Sequence, residues 1–583
     1  VNKLVRVALV LVLVGIAWPV EARLLAPDAR PFHARYAHHA VAADHPLASQ
    51  AGADILAAGG NAADAAVATA LALGAVSPAS SGLGGGGFAL YYRASDRSLT
   101  FLDFRDRAPM AATPDMFARR EGDDEAAAAA RSQTGGLAVA VPGEPAGLME
   151  ILERFGSHRV TRAAITAPAE HYAHEGVPAS RIVAGYSRPF VALLAADPVL
   201  GAFLPSPTEP IPQGAPLRNE ALARTLHELG AHGARAFYRG AIAREIARVV
   251  RAHGGILTDD DLAAYEVVER TPLRATRFGR EIVTAPPPSA GGFTLLASLG
   301  LLERWMPTPR EGAALRHALA ESWLGPFADR MAYAGDPDFT PIPVDALLDP
   351  ARLDARAAVF DPHRARPMAD FAMPLPDTQP TASEGGDDHG TSHLCVVDDE
   401  GNVMALTTTV NLPFGARLTA AGIVLNDQMD DFARGVGETN AFGLVGGAAN
   451  LPGPGHRPVS TMSPTIVLEN GLPVMCLGGS GGSRIVTAVE QVLVFRLFVD
   501  GTMGAAVERP RVHHQGAPDT LSTEIGLPDA LALALAARGH RLSAPVEGSA
   551  NVQGIAIERD AQGAVIALDA ASDPRKDAEP RGE

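Results

Sequence analysis

From 362 to 390 the chain is rich in Pro, Asp, Gly and Ser, ending Glu384-Gly385-Gly386-Asp387-Asp388-His389-Gly390, and it runs straight into Thr391-Ser392-His393-Leu394-Cys395-Val396-Val397-Asp398. The first composition predicts a mobile strap and the second a strand. Glu400-Gly401-Asn402 then turns the chain into a second strand, Val403 to Val410, so the strap feeds a two-strand hairpin. Any fold built from this sequence must place Thr391 at the head of a strand, with a long polar approach in front of it.

Other segments fill in the frame. Apolar residues recur at helical spacing from Ala48 to Leu73, broken by Gly59-Gly60, with Asn61 as N-cap and Asp64 three positions on. Ser80 to Gly87 is a glycine loop that opens a hairpin of Phe88 to Tyr92 and Leu99 to Phe104, ending at Arg105. Residues 116 to 136 are charged and alanine-rich and read as a solvated excursion, whereas 137 to 330 reads as a helical layer. Pro286 to Gly292 makes a rigid turn. Further strands are expected around Gly422 to Leu425, Thr465 to Leu468 and Val474 to Leu477, with a helix from Ser483 to Val499.

Composition removes several functional classes. Of 583 residues 47% are hydrophobic and 20% charged, enough for a large core and too apolar for a disordered chain. The net charge of −17, with no basic patch, disfavours nucleic acid and anionic lipid. Two cysteines, Cys395 and Cys476, are too few for a disulfide scaffold and are expected as buried free thiols. At the amino terminus Lys3 and Arg6 precede the apolar stretch Val7 to Val20, and Val20-Glu21-Ala22 offers a cleavage site after Ala22. A signal over 1–22 and a soluble periplasmic or secreted product are therefore expected.

Three chemistries compete. Gly82, Gly84 and Gly87 fit the dinucleotide pattern, but a helix precedes and a strand follows, the reverse of what a pyrophosphate site requires. Gly478-Gly479-Ser480-Gly481-Gly482 fits a nucleophile elbow between a strand and a helix, with Asp519 and His540 following in triad order, although little chain remains after Ser480. Thr391 is the third candidate. If the Gly390-Thr391 bond were cut, Thr391 would carry a free α-amine beside its hydroxyl, joining nucleophile and base in one residue. Consecutive glycines at 481 and 482, ahead of a helix, would suit an oxyanion as well as an elbow. The pairs His38-His39 and His513-His514 lack the i, i+4 spacing of a metal site and read as structural or surface residues.

The run Thr391-Ser392-His393, Asp398, Gly401-Asn402 and Thr407 to Gly415 closely resembles the γ-glutamyltransferase family of N-terminal-nucleophile hydrolases. So do Leu425 to Phe432, Arg457 to Thr465, Gly481 to Arg484, Gly59 to Ala62, Leu83 to Phe88, Leu102 to Arg105, Pro286 to Gly292 and Gly335 to Phe339. The resemblance implies an α+β fold, a four-layer αββα sandwich, shared by a large chain of 23–390 and a small chain of 391–583 after self-cleavage. It implies that Thr391 attacks the γ-carbonyl of a γ-glutamyl amide such as glutathione, that Thr409 assists it, and that Gly481 and Gly482 hold the oxyanion. Arg105, Ser460 and Thr461 would then bind the α-carboxylate, and Asp431, Asn411 and Gln428 the α-ammonium. Phe442 matches a lid position often held by Tyr, and Thr461 stands where a second serine is expected. Water, an amino acid or a peptide would accept the group, and no metal or organic cofactor is required. A cephalosporin or glutaryl acylase is the nearest alternative; a Ser480 hydrolase and an uncleaved γ-glutamyl-peptide binding protein are more distant ones.

Overall fold

Alternation along the central strands sets the layers of the structure, a computed structural model that describes residues 32–375, 390–436, 441, 447–548 and 550–583. In strand Thr391–Val397, Leu394 and Val396 join one core while Cys395 and Val397 join another. Strand Val403–Thr409 repeats this with Met404 and Leu406 against Val403 and Ala405. A period of two with both faces apolar requires cover on both sides. One face is covered by helices Pro46–Ala57, Ala62–Val76 and Glu144–Phe155, the other by a second sheet.

Both sheets have seven strands. The first runs in the order Arg581–Gly582, Ala40–Ala43, Thr391–Val397, Val403–Thr409, Gly86–Arg93, Ser98–Phe104 and Val268–Arg270. The second runs His33–Tyr36, Val565–Ala571, Asn551–Arg559, Leu472–Ser480, Thr465–Glu469, Arg280–Thr284 and Leu273–Arg277. Helices Gly291–Trp305 and Arg484–Phe498 pack on its outer face, and helix Gly312–Tyr333 packs against the first of these. The result is the αββα sandwich expected, in a single unit over Phe32–Glu583. Among the described residues no helix is long and apolar enough to cross a membrane.

Local signals behave as their chemistry requires. Asn61 caps Ala62–Val76 through Ala63 N and Asp64 N, and the Asp64 side chain answers on Asn61 N. Three expectations of secondary structure change. Residues 137–330, read as a helical layer, also hold strands Val268–Arg270, Leu273–Arg277 and Arg280–Thr284, because short runs such as Ile282-Val283-Thr284 are β-branched and find partners in the two sheets. The stretch 116–136 contains helix Glu125–Gln133, because its alanines favour helix and Ser132 is buried, donating to Asp430 Oδ1 at 2.5 Å. Within the reading of 362–390 as a strap, Met368–Phe371 forms a helical turn that buries Phe371. The remaining strap residues 376–389, the signal segment and the lid residue Phe442 lie outside the described residues.

The cysteines are not free. Cys395 and Cys476 form a disulfide across the sandwich, one from each sheet, with Cα atoms 6.0 Å apart. Two small residues facing one another between packed sheets meet the geometry of a bridge, which their sequence separation of 81 does not reveal. Replacing both by alanine is expected to lower stability by about 2–4 kcal/mol, read as a lower guanidinium midpoint.

Candidate active site

The antiparallel pairing of Thr391–Val397 with Val403–Thr409 sets Thr391 opposite Thr409. That register puts two hydroxyls at the sheet's end, with Thr391 Oγ1 donating to Thr409 Oγ1 at 3.1 Å. Thr409 Oγ1 in turn donates to the carbonyl oxygen of Gly390 at 2.6 Å, and accepts from Asn411 N at 2.9 Å. A chain of hydrogen bonds therefore runs from the Thr391 hydroxyl to the carbonyl just before it. Both threonines are buried. Gly390 is dictated by crowding, since a Cβ there would collide with the Asn411 carbonyl.

The Thr391 carbonyl is held from the other side by Lys576 Nζ at 2.9 Å. The same ammonium donates to Ser480 Oγ at 3.0 Å and to Asp44 Oδ2 at 2.5 Å, and Asp44 also accepts from Gln553 Nε2 at 2.5 Å. Burial pushes the Asp44 carboxyl up, and Lys576 opposes that shift. Sequence reasoning missed this group, yet a signal existed: Lys3 and Lys576 are the only lysines in the chain. A composition that uses arginine for nearly every cation and keeps one buried lysine points to a site where a compact ammonium is needed. Lys576→Met is expected to lengthen the half-time of chain cleavage about ten- to a hundredfold, the range of a lost charge-assisted bond of ~1.5–3 kcal/mol, with partial rescue by Lys576→Arg. A time course of purified precursor on a denaturing gel reads it.

These contacts also decide the elbow reading. Ser480 ends strand Leu472–Ser480, but its hydroxyl meets Asp44 and Lys576. His540 bonds His317 and Asp519 lies by His514, so the three triad candidates are not brought together. Gly478 packs where a Cβ would strike the His393 ring. Gly481 and Gly482 take φ of +130° and +49° before helix Arg484–Phe498, backbone conformations open to glycine that turn the peptides at the helix start. Among the adjacent-histidine pairs, His513 and His514 are buried and bonded to Thr487 Oγ1 and Gly516 N, in keeping with a structural role.

Of the expected clamp residues, Arg105, Asp431 and Gln428 meet in one group. Arg105 follows strand Ser98–Phe104 and is fully buried, with Nε to Pro458 O at 3.3 Å and Nη2 to Val459 O at 3.2 Å. It also forms a direct ion pair with Asp431. Gln428 Nε2 donates to Asp431 Oδ2 at 3.1 Å, and burial pushes the Asp431 carboxyl up to about 6 despite the arginine beside it. Arg330, buried in helix Gly312–Tyr333, adds a second positive charge acting on Asp431, a neighbour that sequence reasoning did not single out. Ser460 Oγ accepts from Met462 N at 3.1 Å, which leaves its proton available. Thr461 differs, because its hydroxyl donates to Gly482 O at 2.8 Å and so ties the clamp loop to the glycine pair. Asn411, at φ +79°, uses its amide nitrogen on Asp427 O at 3.1 Å.

Two facing seven-stranded sheets between helical layers, with a threonine heading a central strand, define the N-terminal-nucleophile hydrolase class. Residues 48–582 match the family model described as gamma-glutamyltranspeptidase, and the chain belongs to that family. It is 36% identical over 586 residues to the glutathione hydrolase proenzyme of Escherichia coli (strain K12), covering 98% of this chain and 97% of that protein. A crystal structure of gamma-glutamyltranspeptidase from Helicobacter pylori is similar at 33% identity and TM-score 0.53, covering 57% of this chain and 93% of its own. The crystal structure of a cephalosporin acylase from Bacillus halodurans is similar at 26% identity and TM-score 0.80, covering 94% and 97%.

Proposed function

We propose that the protein is a self-processing γ-glutamyltransferase and glutathione hydrolase. The observation that carries this reading is the line from the Thr391 hydroxyl through Thr409 to the Gly390 carbonyl. Attack of Thr391 Oγ on the Gly390 carbonyl carbon forms a C–O bond, and the proton passes through Thr409 to the oxygen that becomes negative. Collapse breaks the C–N bond, the Thr391 nitrogen takes up the proton, and water hydrolyses the resulting ester to leave a Gly390 carboxylate. Chains of 23–390 and 391–583 are the products, and Thr391 gains a free amine beside its hydroxyl.

In turnover the same hydroxyl attacks the γ-carbonyl of the donor, its own amine taking the proton, and an ester to the enzyme forms as the amine leaves. Gly481 and Gly482 are read as the donors to the oxyanion, since preorganised amides stabilise charge where it develops. The buried Arg105–Asp431 pair matches a donor that carries carboxylate and ammonium on one carbon: each charge of the substrate replaces one partner of the pair. Ser460 adds a hydroxyl to the carboxylate side, and Gln428 and Asn411 flank the ammonium. An amino acid, a peptide or water takes the acyl group in the second half-reaction.

The positively charged start and apolar stretch of 1–22 support export to the periplasm or beyond the cell. The acylase reading is favoured by the likeness in fold and opposed by the acidic half of the clamp, for which a glutaryl group has no partner. Amino-terminal sequencing of the smaller band tests the main proposal. It is expected to begin Thr-Ser-His, and turnover of a γ-glutamyl anilide should far exceed that of the glutaryl analogue. A smaller band with another start, or activity from a chain that never divides, would sink it.

A further inference from the structure

Outside the catalytic sheet, the outer helical layer holds a second group of chemistry-bearing side chains that the γ-glutamyl mechanism does not use. His317 and Glu321 stand one turn apart on helix Gly312–Tyr333, so the helix presents both on one face. His540 reaches them from the loop after helix Asp529–Ala536. One ligand atom from each lies within 4.8 Å of the others, and all three residues are buried.

The hydrogen bonds fix how these atoms point. His317 Nε2 lies 2.8 Å from the carbonyl oxygen of Asp361, so it carries the proton and Nδ1 offers a lone pair. That Nδ1 faces His540 Nε2 at 2.7 Å, a contact that one proton fills and that a metal ion can fill instead. A histidine that donates its far nitrogen to a carbonyl is oriented and made more basic, the arrangement that supports metal-ligating imidazoles. Glu321 Oε2 accepts from Arg366 N at 3.1 Å. Asp519 and Asp361 add negative charge around Glu321, while Arg366, Arg538 and His514 act in the other direction on the cluster.

We propose that His317, Glu321 and His540 bind a divalent transition-metal ion, with Zn2+ the best match to two imidazoles and one carboxylate. Ordinary zinc–nitrogen bonds in a tetrahedral site set the two nitrogens about 3.3 Å apart, so binding requires the imidazoles to part from 2.7 Å and the carboxylate, within 4.8 Å of them, to close in on the ion. A water completes the coordination. The site is structural: His317 and Glu321 belong to the segment 23–390 and His540 to 391–583, so the ion would pin the two products of self-cleavage to one another, far along the chain from Thr391.

The test starts from wild-type protein prepared without a histidine tag, stripped with chelator and titrated with Zn2+ alone. One zinc per pair of chains should remain after gel filtration, the melting temperature should rise with free Zn2+, and Co2+ in its place should give visible absorption of a four-coordinate site. Glu321→Gln, nearly isosteric, should weaken Zn2+ binding about a hundredfold or more and abolish the thermal shift while γ-glutamyl hydrolysis stays at the wild-type rate. Wild-type protein that retains no zinc and melts at the same temperature with and without it overturns the proposal. Zinc retained equally by wild type, Glu321→Gln and His540→Ala places the ion elsewhere and overturns it as well. Because all these readouts are independent of Thr391, they can fail without disturbing the γ-glutamyl reading.

Discussion

Thr391→Ala is expected to yield one undivided chain with no γ-glutamyl turnover, the largest effect of any single substitution in this protein. The variant removes the hydroxyl that would attack the Gly390 carbonyl, and at the same stroke the nucleophile of the second reaction. Its fold should survive, because Thr391 contributes a backbone pairing to Thr409 that alanine retains. Thr391→Ser keeps the oxygen and should cleave, more slowly, since the methyl group no longer fixes the rotamer. Thr409→Ala is expected to divide slowly too: the Gly390 oxygen would lose its 2.6 Å bond exactly where negative charge gathers, a loss typical of one oxyanion donor at ~3 kcal/mol or about a hundredfold. Ser480→Ala must behave otherwise. Its hydroxyl accepts from Lys576 but stands outside the line of proton transfer, so the variant should divide and turn over. If Ser480→Ala were inert and Thr391→Ala active, the nucleophile assignment would be reversed. Gel analysis and a γ-glutamyl anilide assay read all four variants.

Much of this site was legible because its parts are local. Gly401 between two apolar alternations gives the hairpin, Asn61 and Asp64 give a helix start, and Arg105 falls at a strand end, each within a few residues of the signal that reveals it. What escaped depends on distant segments meeting. Strands Val268–Arg270 and Arg280–Thr284 are close in sequence yet belong to different sheets, a choice made by neighbours the local pattern does not name. Cys395 and Cys476 face one another only because two sheets stack. Lys576 lies near the end of the chain, 185 positions from the carbonyl it holds. The zwitterion clamp stood between these cases: both charges were foreseen from the family resemblance, whereas their pairing with each other was not.

That pairing makes the second large prediction. Arg105→Ala or Asp431→Asn is expected to lower kcat/KM for the γ-glutamyl donor by ~2–5 kcal/mol, about thirtyfold to several thousandfold, because each leaves one buried charge without its partner and one substrate charge without its site. The two effects should not add. Once Arg105 is gone, Asp431 is already buried without its nearest cation, so removing it as well relieves a destabilised group, and the double variant should be little worse than either single one. Acidity should act on the same pair. Asp431 must be ionised to hold an ammonium, and burial pushes its carboxyl up to about 6, so donor use should fall as pH drops through that value. In Asp431→Asn this acid limb should vanish, leaving a low and pH-insensitive rate over the same range. Should the limb persist unchanged in Asp431→Asn, or should the single variants multiply in the double, the charges bind the donor independently or elsewhere. The self-neutralised pair would then be a structural ion pair of the core, not a site waiting for a zwitterion.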